Sequence, residues 1–350
     1  MEKLEECLVF VDTFAKTNSV MNDFKGKEIR LSYSGGSDSD ACAWVLRYLG
    51  YNIKMVFYDT GLEYDATRKH LDYMMSLGYD IDIVKPEKSI PNSVYHYGKP
   101  FISKNVSEMI FRLQQNGFDF EKDGLLDFDE AYIKYPNSKS ALRWWTNYNN
   151  SASNNISWNR GLKEFLLENN GVPFSTSAHC CYNAKKLPAK NYAKENKVQL
   201  AILGIRRAEG GKRSTSYNSC YIKNTSAYPE STYMPLFWWT NEDKKKFKEI
   251  TGIKNSDCYE VYGMERTGCV GCPFGMKFEE ELSIISEYEP KLEKAVKHLF
   301  NDSYEFTKKY HAFKETHKQP GYYSKAEIEK RKQRSLTFKD NPAYERPADR

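Results

Sequence analysis

Three groups of side chains in this sequence have the types and spacing to do chemistry. The first is Ser34-Gly35-Gly36-Ser37-Asp38-Ser39. Two adjacent glycines clear side-chain bulk from the backbone and permit the positive φ that turns successive N–H groups into one concavity. A helix starting near Asp38 adds unpaired N–H groups and the positive end of its dipole, so an anion is held without a lysine. The hydroxyls of Ser34, Ser37 and Ser39 can donate to the same oxygens. A Gly-Gly turn with Asp38 or Ser39 as its helix cap needs no ligand, and the residues alone leave both readings open.

The second group joins Ala178-His179-Cys180-Cys181 to Thr267-Gly268-Cys269-Val270-Gly271-Cys272-Pro273. Together these are four thiols, and a Cys-Pro ending recurs in iron-sulfur runs. Zinc prefers two Cys-x(2–4)-Cys knuckles, which a Cys-Cys pair fits poorly. The donor set therefore favours a [4Fe-4S] cluster over a four-cysteine zinc site. Lys185, Lys186, Arg266 and Lys277 flank the thiols, either to offset the charge of a cluster or as ordinary solvated surface. The third group is Gly204-Ile205-Arg206-Arg207-Ala208-Glu209 with Lys212 and Arg213. Arginine forks suit phosphate or sulfate oxygens, and the glycines let the loop close over them. It reads as a second jaw facing the first loop.

These groups need a scaffold that brings them to one edge. Ile29, Leu31 and Tyr33 alternate as a short strand, and Ala41, Val45, Leu46 and Leu49 recur at helical spacing. A second strand runs from Ile53 to Asp59, followed by Thr60-Gly61-Leu62-Glu63 and a helix carrying Leu71, Met74 and Met75. Ile81–Val84 is a third strand, and Gln199 to Leu203 reads as another. Alternating strands and helices predict an α/β fold with a parallel sheet, and such sheets bind ligands at the carboxyl ends of their strands. Asp59 and the glycine loop both fall on that edge. Leu4, Leu8, Val11 and Ala15 predict an amphipathic helix packed beside it.

The expected organisation is a first half of the α/β domain, carrying the glycine loop, over 1–90, a helical and aromatic insertion over 91–170, a second half with the arginine loop and the cysteines over 171–277, and a helical cap with a basic tail over 278–350. Within the insertion, helical patches fall near 103–115 and 160–168, and 147–155 reads as an exposed loop. Arg143, Trp144, Trp145 and Tyr148 could stack nucleic-acid bases, but core packing is the expected role. Leu282, Ile285, Leu292, Val296 and Leu299 predict a helix interrupted by Pro290. Beyond about residue 310 a polar tail is expected, with Lys330-Arg331-Lys332-Gln333-Arg334 either solvated or meeting a nucleic acid.

At 350 residues with 40% apolar side chains the chain can build a sizeable core, and a net charge of +5 falls well short of a nucleic-acid coat. No apolar run is long enough to cross a bilayer, and the acidic start Met1-Glu2-Lys3-Leu4-Glu5-Glu6 is unlike a signal peptide. A cytoplasmic location is expected, in which eight cysteines point to metal ligation before disulfides. Cys7, Cys42, Cys220 and Cys258 have no partner spacing and read as incidental thiols.

Ser34–Ser39 resembles the PP-loop of ATP pyrophosphatases. Asp59-Thr-Gly-Leu-Glu63, Gly204-Ile-Arg-Arg-x-Glu209 and Pro235-Leu-x-x-Trp-Thr-x-x-Asp243 resemble the phosphoadenosine phosphosulfate (PAPS) reductase family. With the four cysteines, the likeness is to its iron-sulfur branch, including adenylylsulfate (APS) reductases and DNA phosphorothioation ATPases. The resemblance implies an adenine nucleotide alpha-hydrolase-like (Rossmann-like) fold with helices on both sheet faces. It implies Ser34, Gly35, Gly36, Ser37, Asp38 and Ser39 on phosphate or sulfate, with Asp59, Glu63 and Glu209 near the nucleotide. Arg206, Arg207 and Arg213 would meet the anionic end, and Cys180, Cys181, Cys269 and Cys272 the cluster. Asp38, Ser39, Arg206 and Arg207 are the residues expected to act on the reacting group.

Two departures follow. The usual PP-loop lysine is Ser37 here, so a cation must come from elsewhere, Arg206 or Lys212 being the candidates. Sulfonucleotide reductases use a tail cysteine, and no cysteine follows Cys272 in this sequence. Three functions remain: an ATP pyrophosphatase that adenylates an acceptor for sulfur transfer, with Mg2+; an APS or PAPS reductase using an external thiol; and a non-catalytic regulator binding nucleotide and cluster. The expected partners are an adenine nucleotide and a thiol or sulfur-donor protein, with nucleic acid as one acceptor and no membrane.

Overall fold

The computed structural model describes residues 2–210, 217–225, 229–275 and 277–316. The chain divides into two units, Met1–Gly117 with Phe174–Glu305, and Phe118–Pro173 with Phe306–Arg350.

In the first unit, α1 (Leu8–Asp23) leads to β1 (Ile29–Tyr33), α2 (Ser37–Tyr48), β2 (Lys54–Tyr58), α3 (Asp65–Ser76) and β3 (Ile81–Val84). Two further helices follow, α4 (Ile90–Tyr97) and α5 (Lys104–Gln115). After the second unit's segment come α6 (Leu187–Glu195), β4 (Leu200–Leu203), β5 (Tyr221–Ile222), β6 (Ser231–Tyr233) and α7 (Asn241–Thr251). Then α8 (Phe278–Tyr288) precedes α9 (Pro290–Thr316), whose residues from Phe306 belong to the second unit.

The sheet order is β3-β2-β1-β4-β6-β5, parallel throughout except for β5 against β6. Leu31 lies opposite Met55 on one side and Ile202 on the other, so the apolar centre of each strand meets its neighbour's. Alternation along β1 divides its side chains between faces. Tyr33 reaches Asp40 of α2, while Arg30 lies over the Tyr192 ring of α6, which puts helices on both faces as expected.

Two sequence expectations need correction. On α1 the buried face is Phe10, Phe14, Thr17 and Met21, whereas Leu8 is 84% exposed and Val11 is exposed too. The aromatic rings remove more apolar area from water and set the helix's rotation. Pro290 does not interrupt a helix; it begins α9, where its missing N–H costs nothing and its fixed φ suits the first turn. The helix continues to Thr316 through the stretch expected as tail, and Lys330–Arg334 lies outside the described residues.

In the second unit, helices Phe128–Lys134, Lys139–Trp145 and Leu162–Glu168 form an aromatic core of their own. Trp144 and Trp145 are buried, Phe118 and Phe120 meet the Trp145 ring edge-on, and Trp145 Nε1 donates to the Gly124 carbonyl at 2.9 Å. Tyr148 stacks on Phe128 with centroids 4.4 Å apart. These rings pack a core, which leaves the two tryptophans no face for bases.

Candidate functional site

The loop after β1 closes in the way its glycines allow. Gly35 has φ +67°, and a Cβ there would lie 2.8 Å from Thr67 Cγ2. Gly36 is the N-cap of α2, so the helix begins at Ser37, one residue before expected. Ser39 Oγ donates to the Gly36 carbonyl at 2.6 Å and lies 3.3 Å from Ser34 Oγ. Its hydroxyl braces the turn. Gly204, at the end of β4, packs so tightly on the loop that a Cβ would meet Ser39 N at 2.8 Å and the Asp38 carbonyl carbon at 2.9 Å.

A cleft of about 680 Å³ opens over this loop, a volume suited to a small ligand. Ser34, Gly36, Ser37, Asp38 and Ser39 form one wall, and Arg206 and Glu209 form another. Arg206 Nε donates to Asp38 Oδ1 at 3.0 Å, and its Nη1 donates to Thr240 O at 3.2 Å and Asn241 Oδ1 at 2.9 Å. Glu209 Oε1 accepts from the Arg206 amide at 3.1 Å and fixes the turn. Arg207 turns elsewhere: it lies over the Trp238 ring at 5.7 Å and does not line the cleft. Lys212 and Arg213 lie outside the described residues.

The cation that sequence reasoning missed is Lys244 on α7. Its Nζ lies 2.8 Å from Asp38 Oδ1 and donates to Ser37 Oγ at 2.6 Å. Lys245, Lys248 and Arg266 also line the cleft. A signal was present in the sequence. Thr240 and Asp243 form a capping box, with Asp243 N donating to Thr240 Oγ1 at 3.1 Å and Thr240 N donating to Asp243 Oδ2 at 2.8 Å. That box fixes where α7 starts, and Lys244 and Lys248 are then four apart on one helix face.

Asp59 follows β2 on the same sheet edge as the loop and Gly204, yet neither Asp59 nor Glu63 lines the cleft. Arg68 grips Asp59 with two bonds of 3.0 Å, and the Gly61 amide donates to it at 3.0 Å. Burial pushes the Asp59 carboxyl up, but Arg68 and Gly61 outweigh it and hold it below the usual carboxylate range. Glu63 accepts from Thr60 Oγ1 at 2.6 Å and from the Thr60 amide at 3.2 Å. Burial leaves its carboxyl above the usual range, against the pull of Lys185.

Beyond this loop sit the thiols. All eight cysteines are free. Cys180 and Cys181 occupy a helical turn, His179–Cys181, that runs into a π-helix, Tyr182–Lys186. The neighbouring Cys181 and burial, with Cys272 and Cys269 adding to them, push the Cys180 thiol well above the usual range. Its neighbour Cys180, against burial and helped by Lys104 and Lys185, brings the Cys181 thiol down to about 6. At Lys185 burial pulls the pKa down, but Cys269 and Glu63 outweigh burial and raise it. Burial pushes Cys272 up. The Val270 amide donates to Leu62 O at 3.1 Å, tying this loop to the Asp59–Glu63 turn. The Gly271 amide donates to Glu281 Oε1 at 3.2 Å, and Tyr304 donates to the Gly271 carbonyl. Thr267 lines the cleft two residues before Cys269 and shares a 2.9 Å bond with Tyr259. Four free thiols match a cluster in number and donor chemistry. As they stand, no group of three or more His, Cys, Asp and Glu among the described residues is arranged as a metal site.

Residues 151–274 match the family model of the phosphoadenosine phosphosulfate reductase domain. An uncharacterized protein of Methanocaldococcus jannaschii is 24% identical over 272 residues, 76% of this chain. The chain spans 40% of the length of that curated relative. Among solved structures, phosphoadenylyl-sulfate reductase from Candida auris aligns with a TM-score of 0.41 at 13% identity, over 77% of this chain and 93% of that one. The [4Fe-4S] U34-tRNA thiolase NcsA from Methanococcus maripaludis aligns with a TM-score of 0.37 at 13% identity, over 90% of this chain and 81% of that one. No helix among the described residues is long and apolar enough to cross a membrane.

Proposed function

Starting from a PAPS reductase domain match over residues 151–274 and the cationic cleft beside it, we propose that this chain is an adenine-nucleotide-dependent sulfur enzyme. In this reading it activates an acceptor oxygen with ATP, bound as its Mg2+ complex, and releases pyrophosphate. The observation that carries the reading is the convergence of Arg206 and Lys244 on Asp38 at the amino end of α2, which makes a seat for a leaving pyrophosphate.

The chemistry has two displacements. The acceptor oxygen attacks the α-phosphorus, the bond to the bridging oxygen of the β-phosphate breaks, and pyrophosphate leaves with that electron pair. A sulfur nucleophile at the hydrosulfide level then displaces AMP, so sulfur replaces oxygen with no net redox change. The protein's part is to fix the phosphates and neutralise charge as it builds on the departing oxygens. Ser34, Gly35 and Gly36 shape the loop, Ser39 braces it, and Arg206 and Lys244 meet the anion. Cys180, Cys181, Cys269 and Cys272 are the donor set for a [4Fe-4S] cluster, whose chemistry there would be to bind sulfur. Nucleic acid and sulfur-donor proteins are the acceptor and partner classes that suit this scheme.

The test is to incubate anaerobically purified protein with ATP, APS and PAPS and assay pyrophosphate and sulfite together. Pyrophosphate from ATP supports the proposal. Sulfite from APS or PAPS with added thiol replaces it with a reductase, and nucleotide binding without either product replaces it with a regulator.

A further inference from the structure

Ser37 stands where a PP-loop carries lysine, and the fold brings an ammonium to that place from 207 residues further along the sequence. Lys244 Nζ lies 2.6 Å from Ser37 Oγ and 2.8 Å from Asp38 Oδ1, with its side chain 26% exposed and lining the cleft. Its helix is firmly seated. Phe247, one helical turn along the same element, is 1% exposed, with its ring centroid 5.1 Å from Trp44, 4.8 Å from Trp239 and 5.5 Å from Phe10. The capping box holds the first turn, and the same turn offers Thr240 O and Asn241 Oδ1 to Arg206. Asp38 is the only carboxylate paired with Lys244 among the described residues, and it is shared with Arg206. A phosphate brings more negative charge than half of one carboxylate, and a lysine on a flexible stem can follow it.

We propose that Lys244 replaces the missing loop lysine: it is the phosphate-binding residue of the cleft, resting on Ser37 and Asp38 and moving onto a phosphoryl oxygen when an anion enters. This rests on the nucleotide reading above, in which Arg206 and Lys244 face the anion, and adds that Lys244 is the one of the two that does the loop lysine's work, leaving Asp38 for the phosphate. Tethering by Lys244 of α7 to the loop as structure alone predicts different behaviour, because a tether does not depend on charge beside Ser37 once the helix is seated by Phe247.

The experiment is calorimetric titration of the full chain with inorganic pyrophosphate and with ATP, comparing wild type, Lys244→Met, Lys246→Met and the double variant Ser37→Lys/Lys244→Met. Lys246 is exposed on the same helix and does not line the cleft, so it controls for general charge. Loss of one charge-assisted contact is expected to weaken pyrophosphate by roughly 10- to 100-fold in Lys244→Met, with little change in Lys246→Met. The double variant, with an ammonium returned to the loop, is expected to recover most of that affinity. Equal binding by wild type and Lys244→Met overturns the proposal, as does an equal loss in both single variants or a double variant that stays weak while folded. If Lys244→Met fails to fold, Lys244→Gln, which keeps an amide donor for Ser37 and Asp38, takes its place with the same expectations. A wild-type chain that binds neither probe overturns the nucleotide reading itself and the proposal with it, an outcome distinct from all the others.

Discussion

The family resemblance implies the same place, near the nucleotide, for Asp59 and Glu63, and the structure separates the two by environment. The half-exposed Arg68 fork holds Asp59 as an anion, whereas Glu63 is a buried acceptor for Thr60. The Asp59 carboxyl is depressed in the folded state, so its pairing contributes fully above the unfolded value of about 4. That contribution is lost as pH falls through the lower folded value. The stability gap between wild type and Asp59→Asn in urea unfolding is therefore expected to be constant from about pH 5 to 7 and to shrink towards pH 3. A gap that persists unchanged at pH 3 would show that Asp59 does not act through its charge. At this scale the sequence was most legible where chemistry is local. Gly35, Gly36 and Ser39 make their turn with neighbours, and Arg206 reaches Asp38 as a facing jaw should. Arg207 was not separable from Arg206 by type. Only the register of the turn decides that one enters the cleft and the other lies over Trp238.

Among elements, α7 does most to shape the cleft. Its cap sets the phase of its lysines, and Thr240→Ala is expected to cost about 1 kcal/mol in urea unfolding, with a smaller loss when Ser replaces Thr240. The approach of β4 to the loop is equally demanding. An alanine at Gly204 must displace backbone atoms of Asp38 and Ser39, so Gly204→Ala is expected to lose roughly 1–3 kcal/mol and to weaken pyrophosphate binding in the same titration. Wild-type affinity in that variant would mean the loop relaxes without consequence. Helices α2, α3 and α5 could be read from apolar periodicity because each has one buried face, and strands β2 and β4 from short unbroken apolar runs because the sheet is covered on both faces. The rotation of α1 could not, since its aromatic and aliphatic stripes compete and only tertiary packing chooses between them. The new helix at Pro290 is a case where one residue type serves as breaker and as initiator.

At the scale of the whole molecule, a parallel sheet with the glycine loop, Asp59 and Gly204 at one edge was legible, because alternation and crossover rules leave few other arrangements. The four thiols are a set by type alone in the sequence, and the tie between the Cys269–Cys272 loop and the Asp59–Glu63 turn was not legible, since the Val270 to Leu62 bond joins segments distant in sequence. If they hold a cluster, Cys181→Ser and Cys272→Ser are expected to bring iron and labile sulfide in anaerobically purified protein to background, while Cys42→Ser and Cys220→Ser leave both unchanged. Equal iron in all four variants would remove the cluster from the proposed chemistry.

No residue of α1 lines the cleft, yet Phe10 wedges between Trp239 and Phe247, with centroids 5.0 and 5.5 Å away. Helix α1 is thus the abutment against which the lysine-bearing helix leans. Shaving that abutment with Phe10→Ala leaves every cleft side chain in the sequence while letting α7 slide. The expected sign is a chain that still folds at low temperature but grips pyrophosphate less well as it warms, ahead of global unfolding. An amino-terminal alteration would then be read out as a fault in anion capture.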